Sequence, residues 1–205
     1  MLDALAIRDA AVMAVSGGGP SALEFARIHR DRCRGAVIIS SVCTRNDVRL
    51  PLAWHLMKLT ARCGPLVASM RRKVARDPER AAARSIPDPA LRARTVRDPE
   101  AGPLLLALQL STMDRMRLRI PGTENDVVTT TREELSLELE RIAVPVLVVH
   151  GTDDRVAPYA QGRAIAARIP GAELLALERG DHVAIFTHRD QARARIAAFL
   201  VAHAG

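Results

Sequence analysis

The protein has 205 residues and a mass of 22.3 kDa, which fits one domain with a lid or a small insertion. Apolar residues make up 48% and charged residues 26% of the chain, a balance that supports a buried core and excludes intrinsic disorder. Only 2% of the residues are aromatic, too few for a protein that stacks on single-stranded bases. No apolar run approaches the roughly 20 residues of a membrane span, and the first residues do not form a signal peptide. We therefore expect no membrane partner and a cytoplasmic location.

The formal charge of +7 and the pI of about 10.5 raise the question of nucleic-acid binding. Only two of the 30 basic residues are lysines, Lys58 and Lys73, and the arginines are scattered through helix-like stretches, many of them beside Asp or Glu. This pattern favours coding bias over a nucleic-acid surface, so we expect no nucleic-acid partner. The three cysteines have no CxxC spacing, which predicts free thiols in a reducing compartment.

Two short apolar runs near the start of the chain, residues 10–15 and 36–41, predict buried parallel strands. Between them, residues 16–20 (SGGGP) predict a sharp turn, and the segment that follows predicts a helix in which the proline belongs to the first turn. A strand, a turn, a helix and a second strand in this order form a βαβ crossover.

The pattern changes after residue 44. Prolines punctuate the next stretch, and no convincing strand occurs in it. The predicted helices lie around residues 51–75, 78–85, 98–118 and 131–141. We therefore expect a helical cap, residues 45–141, inserted into a core that is made of residues 1–44 and 142–205.

The βα pattern then resumes, with predicted strands at 144–150 and 173–177 and predicted helices at 159–169 and 188–203. The last helix has one apolar side, formed by Ala192, Ile196, Phe199 and Leu200. The predicted fold is therefore α/β, a short and mostly parallel sheet flanked by helices, with an α-helical cap insertion.

Three polar positions follow predicted strands directly: Ser16, the pair Asp153 and Asp154, and His182. Ligands bind at the carboxyl edge of an open parallel sheet, so these side chains are expected to lie close together. Their order along the chain is serine, acid, histidine.

Ser16 lies in a small-x-Ser-x-small pattern (AVSGG) between a strand and a helix, which is typical of a nucleophile elbow. Such a turn strains the serine backbone and tips its Oγ out of the sheet. A bulky side chain at position 14 or 18 would collide with the neighbouring strand or helix, and the Gly17 N–H can donate to a developing oxyanion. The alternative is a phosphate-binding turn. It is weaker because the glycines are contiguous and no GK[ST] follows.

The segment 150–158 (HGTDDRVAP) places an aspartate where it can orient an imidazole, although an aspartate here can also cap a helix. His182, after Gly180 and Asp181, can serve as the base for Ser16, or it can be an ordinary loop histidine. A metal site formed by His150, Asp153, Asp154 and His182 lacks ligand spacing, so no metal and no cofactor are expected.

Together, the segments 12–20, 150–158 and 180–182 resemble the α/β-hydrolase family, with Ala14 where a glycine is usual. The resemblance covers the chain except most of the cap. It implies that Ser16 is the nucleophile, that His182 is the base and that Asp154 is the acid, three residues after the strand-ending glycine. Asp153 is then expected to cap the turn or the helix, with Asp47 as the fallback acid. Residues 121–126 also look like a segment of some bacterial esterase-like members.

The chain departs from the family before the elbow, where members have several strands and a loop that supplies a second oxyanion donor. Only 15 residues precede Ser16, so we expect a C-terminal part of the fold with an open sheet edge beside strand 10–15. The expected function is a serine hydrolase for a small-molecule carboxylic ester, with activity impaired by the missing part. The alternatives are an inactive fragment that binds a partner or forms an oligomer through that edge, and cofactor-free haloperoxidase-like chemistry.

Overall fold

The computed structural model describes residues 2–45, 52–131 and 137–204. The chain divides into two compact units: Met1–Asn46 with Glu134–Gly205, and Asp47–Glu133. The first contains every strand of the described residues and the second is helical. The sequence assigned residues 137–141 to the cap, but the structure places them in the first unit, because Leu139 is buried there in the hydrophobic core.

The first unit is built on a four-stranded parallel sheet, which confirms the predicted α/β class. The strands are β1 (Ala10–Val15), β2 (Cys33–Ile39), β3 (Val146–Gly151) and β4 (Glu173–Leu177). They lie in the order β1-β2-β3-β4, so β2 and β3 are central and β1 and β4 form the edges. The two central strands are apolar and almost entirely buried, as expected for strands that are covered on both faces.

Helices connect the strands and form the second unit. In chain order they are α1 (Gly19–Ile28), α2 (Leu52–Thr60), α3 (Gly64–Arg76), α4 (Pro78–Ala82), α5 (Pro89–Arg97), α6 (Ala101–Ser111), α7 (Met116–Thr131), α8 (Tyr159–Arg168), α9 (Ala184–Thr187) and α10 (Arg189–Ala204). On one side of the sheet, Leu23 of α1 and Ile165 of α8 pack with Ile38 of β2 in one hydrophobic cluster. On the other side, Phe199 of α10 packs with Val37 in a second cluster. The predicted apolar side of the last helix is therefore correct.

The helical unit contains more helix than the sequence predicted. Helix α5 was not expected, because Pro87, Pro89 and Pro99 were interpreted as breaks. Pro89 instead occupies the first turn, where a missing N–H costs nothing, and the Asp88 side chain accepts hydrogen bonds from the next two free N–H groups. Residues 121–126, which include Pro121, lie inside α7.

The predicted helix 131–141 is wrong for its described C-terminal part, where residues Leu139–Arg141 form a single 3₁₀ turn. Residues 132–136 of that prediction lie outside the described part of the chain. Among the helices that the structure describes, none is both long enough and apolar enough to cross a membrane.

The loop after β2 is tied to the start of α8 by the side chain of Gln161. Its Oε1 accepts hydrogen bonds from the backbone N–H groups of Cys43 (3.0 Å) and Thr44 (3.1 Å). Its Nε2 donates to the carbonyl oxygens of Thr44 and Arg45. One amide therefore fixes the main chain at the point where it leaves the first unit.

Candidate active site

Ser16, Asp154 and His182 come together at the carboxyl edge of the sheet, because each follows the end of a parallel strand. Ser16 comes directly after β1, Asp154 lies three residues after the last residue of β3, and His182 lies in the loop that follows β4. All three belong to the first unit of the chain. Asp47, the fallback acid of the sequence analysis, lies outside the described residues.

The turn at Ser16 has the strain expected of a nucleophile elbow. Ser16 has a φ of 53°, in the left-handed region that side chains other than glycine rarely adopt. A 3₁₀ turn, Ser16–Gly18, leads into α1, and the hydroxyl of Ser41 donates to the carbonyl oxygen of Ser16 (2.8 Å). The hydrogen bond from the neighbouring strand's loop helps to hold the serine in this conformation.

A steric restriction that is not visible in the sequence lies at Gly19, one residue after position 18. A Cβ at position 18 would meet only the Cβ of Ala14, at an ordinary contact distance of 3.7 Å. A Cβ at Gly19 would overlap the Ser41 hydroxyl and lie 2.5 Å from its Cβ. Gly19 therefore permits the close approach of Ser41 that anchors the elbow.

Asp154 is only 5% exposed, and its two carboxylate oxygens have different hydrogen-bond partners. Its Oδ1 accepts the backbone N–H groups of Val156 (2.8 Å) and Ala157 (2.9 Å), so Asp154 itself caps the turn before α8. The expectation that Asp153 makes this cap is wrong: Asp153 is exposed, and its carboxylate accepts only a long contact from the Thr152 hydroxyl (3.5 Å). The turn therefore fixes the carboxylate of Asp154 and leaves its second oxygen for another donor.

The loops that carry Asp154 and His182 are joined by backbone contacts. The Asp153 N–H donates to the Gly180 carbonyl oxygen (2.8 Å), and the Arg179 N–H donates to the Thr152 hydroxyl (2.8 Å). A Cβ at Gly151 would overlap the carbonyl oxygen of Gly180, so glycine is required for this approach. The relative position of acid and histidine is thus set by the main chain.

The three side chains form one continuous hydrogen-bonded chain. His182 Nδ1 lies 2.9 Å from Asp154 Oδ2, and His182 Nε2 lies 3.0 Å from Ser16 Oγ. Because a carboxylate only accepts, Nδ1 carries the proton and donates it, which leaves Nε2 free to accept from the serine hydroxyl. This tautomer is the one that a histidine needs in order to deprotonate a serine.

The electrostatics of the site favour an ionised Asp154. Burial by itself raises the pKa of this carboxyl, but the neighbouring imidazole of His150 and the hydrogen bonds from His182 and the Ala157 N–H outweigh burial and hold the pKa well below its usual range. Asp181 behaves in the opposite way. Burial, assisted by the charge of Asp154, raises the pKa of Asp181 to about 6, even though its carboxylate accepts the N–H of Val183 (3.0 Å).

Neither Asp181 nor His150 is predicted from the sequence to take part in the hydrolase site, and His150 is considered there only as a ligand of a metal site that lacks ligand spacing. A buried carboxyl beside the histidine and a second buried imidazole beside the acid both require the three-dimensional structure to be recognised. Their positions next to Gly180 and Gly151 are the only signal that the sequence offers. Within the described ranges, no group of three or more His, Cys, Asp or Glu side chains is arranged to hold a metal ion.

Comparisons with known proteins identify the family of the chain. The family model described as alpha/beta hydrolase fold matches residues 1–189. The AB hydrolase superfamily protein YisY of Bacillus subtilis is 31% identical over 78 residues, which are 38% of this chain and 29% of that protein. The chain thus matches under a third of the length of this curated relative.

Solved structures match nearly the whole chain. An alpha/beta hydrolase fold protein from Nakamurella multipartita is 32% identical with a TM-score of 0.77, and the match covers 97% of this chain and 70% of that one. The enol-lactonase from Burkholderia xenovorans shares the fold at 22% identity, with a TM-score of 0.67 over 98% of this chain and 68% of its own. Because the family model matches most of the chain, the protein belongs to the α/β-hydrolase fold family.

Proposed function

We propose that the protein is a serine hydrolase that cleaves a small-molecule carboxylic ester through an acyl-enzyme. The observation that supports this proposal is the unbroken hydrogen-bond chain from Ser16 Oγ through His182 to Asp154, with distances of 3.0 and 2.9 Å. The strained backbone of Ser16 is a second support, because such strain persists only where the surrounding contacts maintain it.

In the proposed reaction, Ser16 Oγ attacks the ester carbonyl carbon while His182 Nε2 takes the hydroxyl proton. The tetrahedral intermediate carries its negative charge on the former carbonyl oxygen, and the proposed donor to that oxygen is the N–H of Gly17, the residue after Ser16 in the turn. The intermediate then expels the alkoxide, which takes the proton from His182 and leaves as the alcohol. Asp154 holds the imidazole in its tautomer and stabilises the transient imidazolium.

Deacylation repeats these steps with water in place of the serine. His182 takes a proton from the water, the hydroxide adds to the acyl carbonyl, and the collapse of the second intermediate returns the proton to Ser16 Oγ and releases the acid. The reaction requires no cofactor. Asp154 remains ionised throughout, consistent with the lowered pKa of its carboxyl.

A fluorophosphonate probe tests the assignment, because it reacts covalently with activated serines. We expect the wild-type protein to be labelled and to hydrolyse a short-chain aryl ester. Ser16→Ala is expected to abolish labelling and to reduce turnover by several orders of magnitude, about 10³ or more. Ser21→Ala, at an exposed serine of α1, is the matched control and should leave both unchanged. Labelling that survives in Ser16→Ala would refute the assignment.

A second candidate function, binding through the sheet edge, is favoured by the exposure of β1. Met13 and Val15 are 60% and 47% exposed, and the strand partner of β1 within the described residues is β2. An edge with unpaired backbone groups and apolar side chains is a template for another strand, and the occupant we propose is a second copy of the chain.

Light scattering on the purified protein tests this association over a range of concentrations. The molar mass should rise with concentration, and Met13→Lys should suppress that rise because it puts a charge on the edge. Leu5→Lys, at an equally exposed residue of a 3₁₀ turn outside the strand, should not suppress it. A wild-type protein that is monomeric at every concentration would rule out the proposed dimer.

A further inference from the structure

The proposed reaction makes no use of His150, although this residue is only 1% exposed and lies next to the catalytic acid. It occupies the penultimate position of β3, and its Nε2 lies 2.7 Å from the carbonyl oxygen of Ala157. A carbonyl oxygen only accepts, so Nε2 carries the proton and donates it. The other ring nitrogen, Nδ1, is buried without a hydrogen-bond partner in the described structure.

The hydrogen bond from His150 to the Ala157 carbonyl oxygen supports the turn that follows Asp154. The peptide groups of Ala157 are held at both ends: its N–H donates to Asp154 Oδ1 (2.9 Å), and its carbonyl oxygen accepts from His150. The same Nε2 lies 3.5 Å from Asp154 Oδ2, the oxygen that accepts from His182. Asp154 Oδ2 therefore lies between the N–H groups of two imidazoles, only one of which belongs to the proton relay.

The tight packing around His150 preserves this arrangement. A Cβ at Gly162 would lie 2.5 Å from His150 Nδ1 and 2.8 Å from its Cγ, so α8 reaches the ring only because residue 162 is glycine. The ring of Tyr159 packs edge-on against the imidazole, with centroids 6.0 Å apart. The ring cannot turn to another partner without displacing α8.

We propose that His150 is a positioning residue for the reaction, which holds the Asp154 turn closed through Ala157 and keeps an N–H dipole within 3.5 Å of the carboxylate oxygen that orients His182. This inference rests on the proposed serine-hydrolase function. In water-free surroundings, such a dipole acts at close range with little screening. It spreads part of the carboxylate charge and so moderates the attraction of Asp154 for the proton that His182 takes up.

The sign of the effect on the pH profile follows from this charge. Removing the His150 N–H concentrates the negative charge on Asp154 Oδ2 and stabilises the protonated imidazole of His182. Because the reaction needs this imidazole unprotonated, the acid limb of kcat/KM should move to higher pH. The other titratable group that faces His182 is Asp181, which is retained in every variant and so acts equally in all of them.

Two variants distinguish the effect of the His150 N–H donor from the effect of the volume of its ring. His150→Phe keeps a planar ring and removes the N–H, whereas His150→Gln places an amide N–H near the position of Nε2. We expect His150→Phe to lower kcat about tenfold, the size of one neutral hydrogen bond, with KM unchanged. The acid limb should rise by about half a pH unit. His150→Gln should restore the acid limb and most of kcat.

Thermal unfolding and circular dichroism establish which variants are folded. A folded His150→Phe protein with the wild-type kcat and pH profile would overturn the proposal, and so would a folded His150→Gln protein as impaired as the Phe variant. If His150→Phe does not fold, His150→Gln decides alone: a wild-type acid limb supports the proposal and a shifted limb contradicts it. If instead the wild-type protein takes no fluorophosphonate label and turns over no ester, the proposed function fails, and that result is distinct from any outcome for His150.

Discussion

Replacing Asp154 by asparagine should disable the proposed relay whichever way the new amide turns. If the amide oxygen keeps the two turn N–H groups of Val156 and Ala157, the amide NH₂ faces His182 Nδ1, 2.9 Å away in the wild-type protein. Nδ1 must then become an acceptor, and the imidazole proton moves to Nε2. In that tautomer Nε2 cannot accept the hydroxyl proton of Ser16. If the amide turns over, the turn loses both hydrogen bonds to Oδ1.

We expect Asp154→Asn to lower kcat by about 10⁴, which corresponds to about 5.5 kcal/mol of transition-state stabilisation. Asp153→Asn is the matched control, because its carboxylate is exposed and makes only the long contact with Thr152. It should stay within about threefold of the wild-type kcat. The assay is turnover of a short-chain aryl ester, with active-site titration to correct for the folded fraction. A larger loss in Asp153→Asn than in Asp154→Asn would refute the reasoning.

Two further predictions concern stability. The folded-state pKa of Asp181 is raised to about 6, so its contribution to the free energy of unfolding is complete below about pH 4 and is lost as the pH rises through 6. Asp181→Asn keeps the acceptor for the Val183 N–H. Its free energy of unfolding in urea should therefore exceed that of the wild type by up to about 3 kcal/mol at pH 8 and equal it at pH 4. An equal difference at both pH values would contradict this. Gly19→Ala should displace Ser41, lower the free energy of unfolding by about 1–3 kcal/mol and remove most of the proposed esterase activity. Gly18→Ala is the control and should change neither. Thermal unfolding and ester turnover measure the two effects.

The sequence predicts the strands of the first unit well because they are continuous apolar runs that end in glycine-rich or charged turns, a signal that depends on local composition alone. The same local signals are enough to predict that Ser16, Asp154 and His182 lie at one edge of the sheet. The helices of the second unit are harder to predict because proline has two opposite effects. It breaks a helix in the middle, but it is favourable in the first turn. At Pro89 only the capping geometry of Asp88 distinguishes them.

The features of the site that the sequence did not show are contacts between residues far apart in the chain. Gly19 is required by Ser41, 22 positions later, and Gly151 by Gly180, so neither restriction is visible in its own segment. The local sequence also does not show which of the adjacent aspartates accepts the turn N–H groups. Both fit the motif, and only the structure shows that Asp154 contacts the turn amides and His182 while Asp153 is exposed.

The hydrogen bonds of Gln161 to the loop after β2 bear on which parts of the chain can be exchanged. Ser16, Asp154, His182 and the contacts that hold them lie in the first unit, and Gln161 fixes the main chain at Cys43 and Thr44, just before the chain continues into residues 47–133. The exit point is therefore held by a residue of the first unit, Gln161. A different insertion grafted at this junction would meet the same anchor, so recombination can exchange the helical segment while the serine, the histidine and the acid keep their distances.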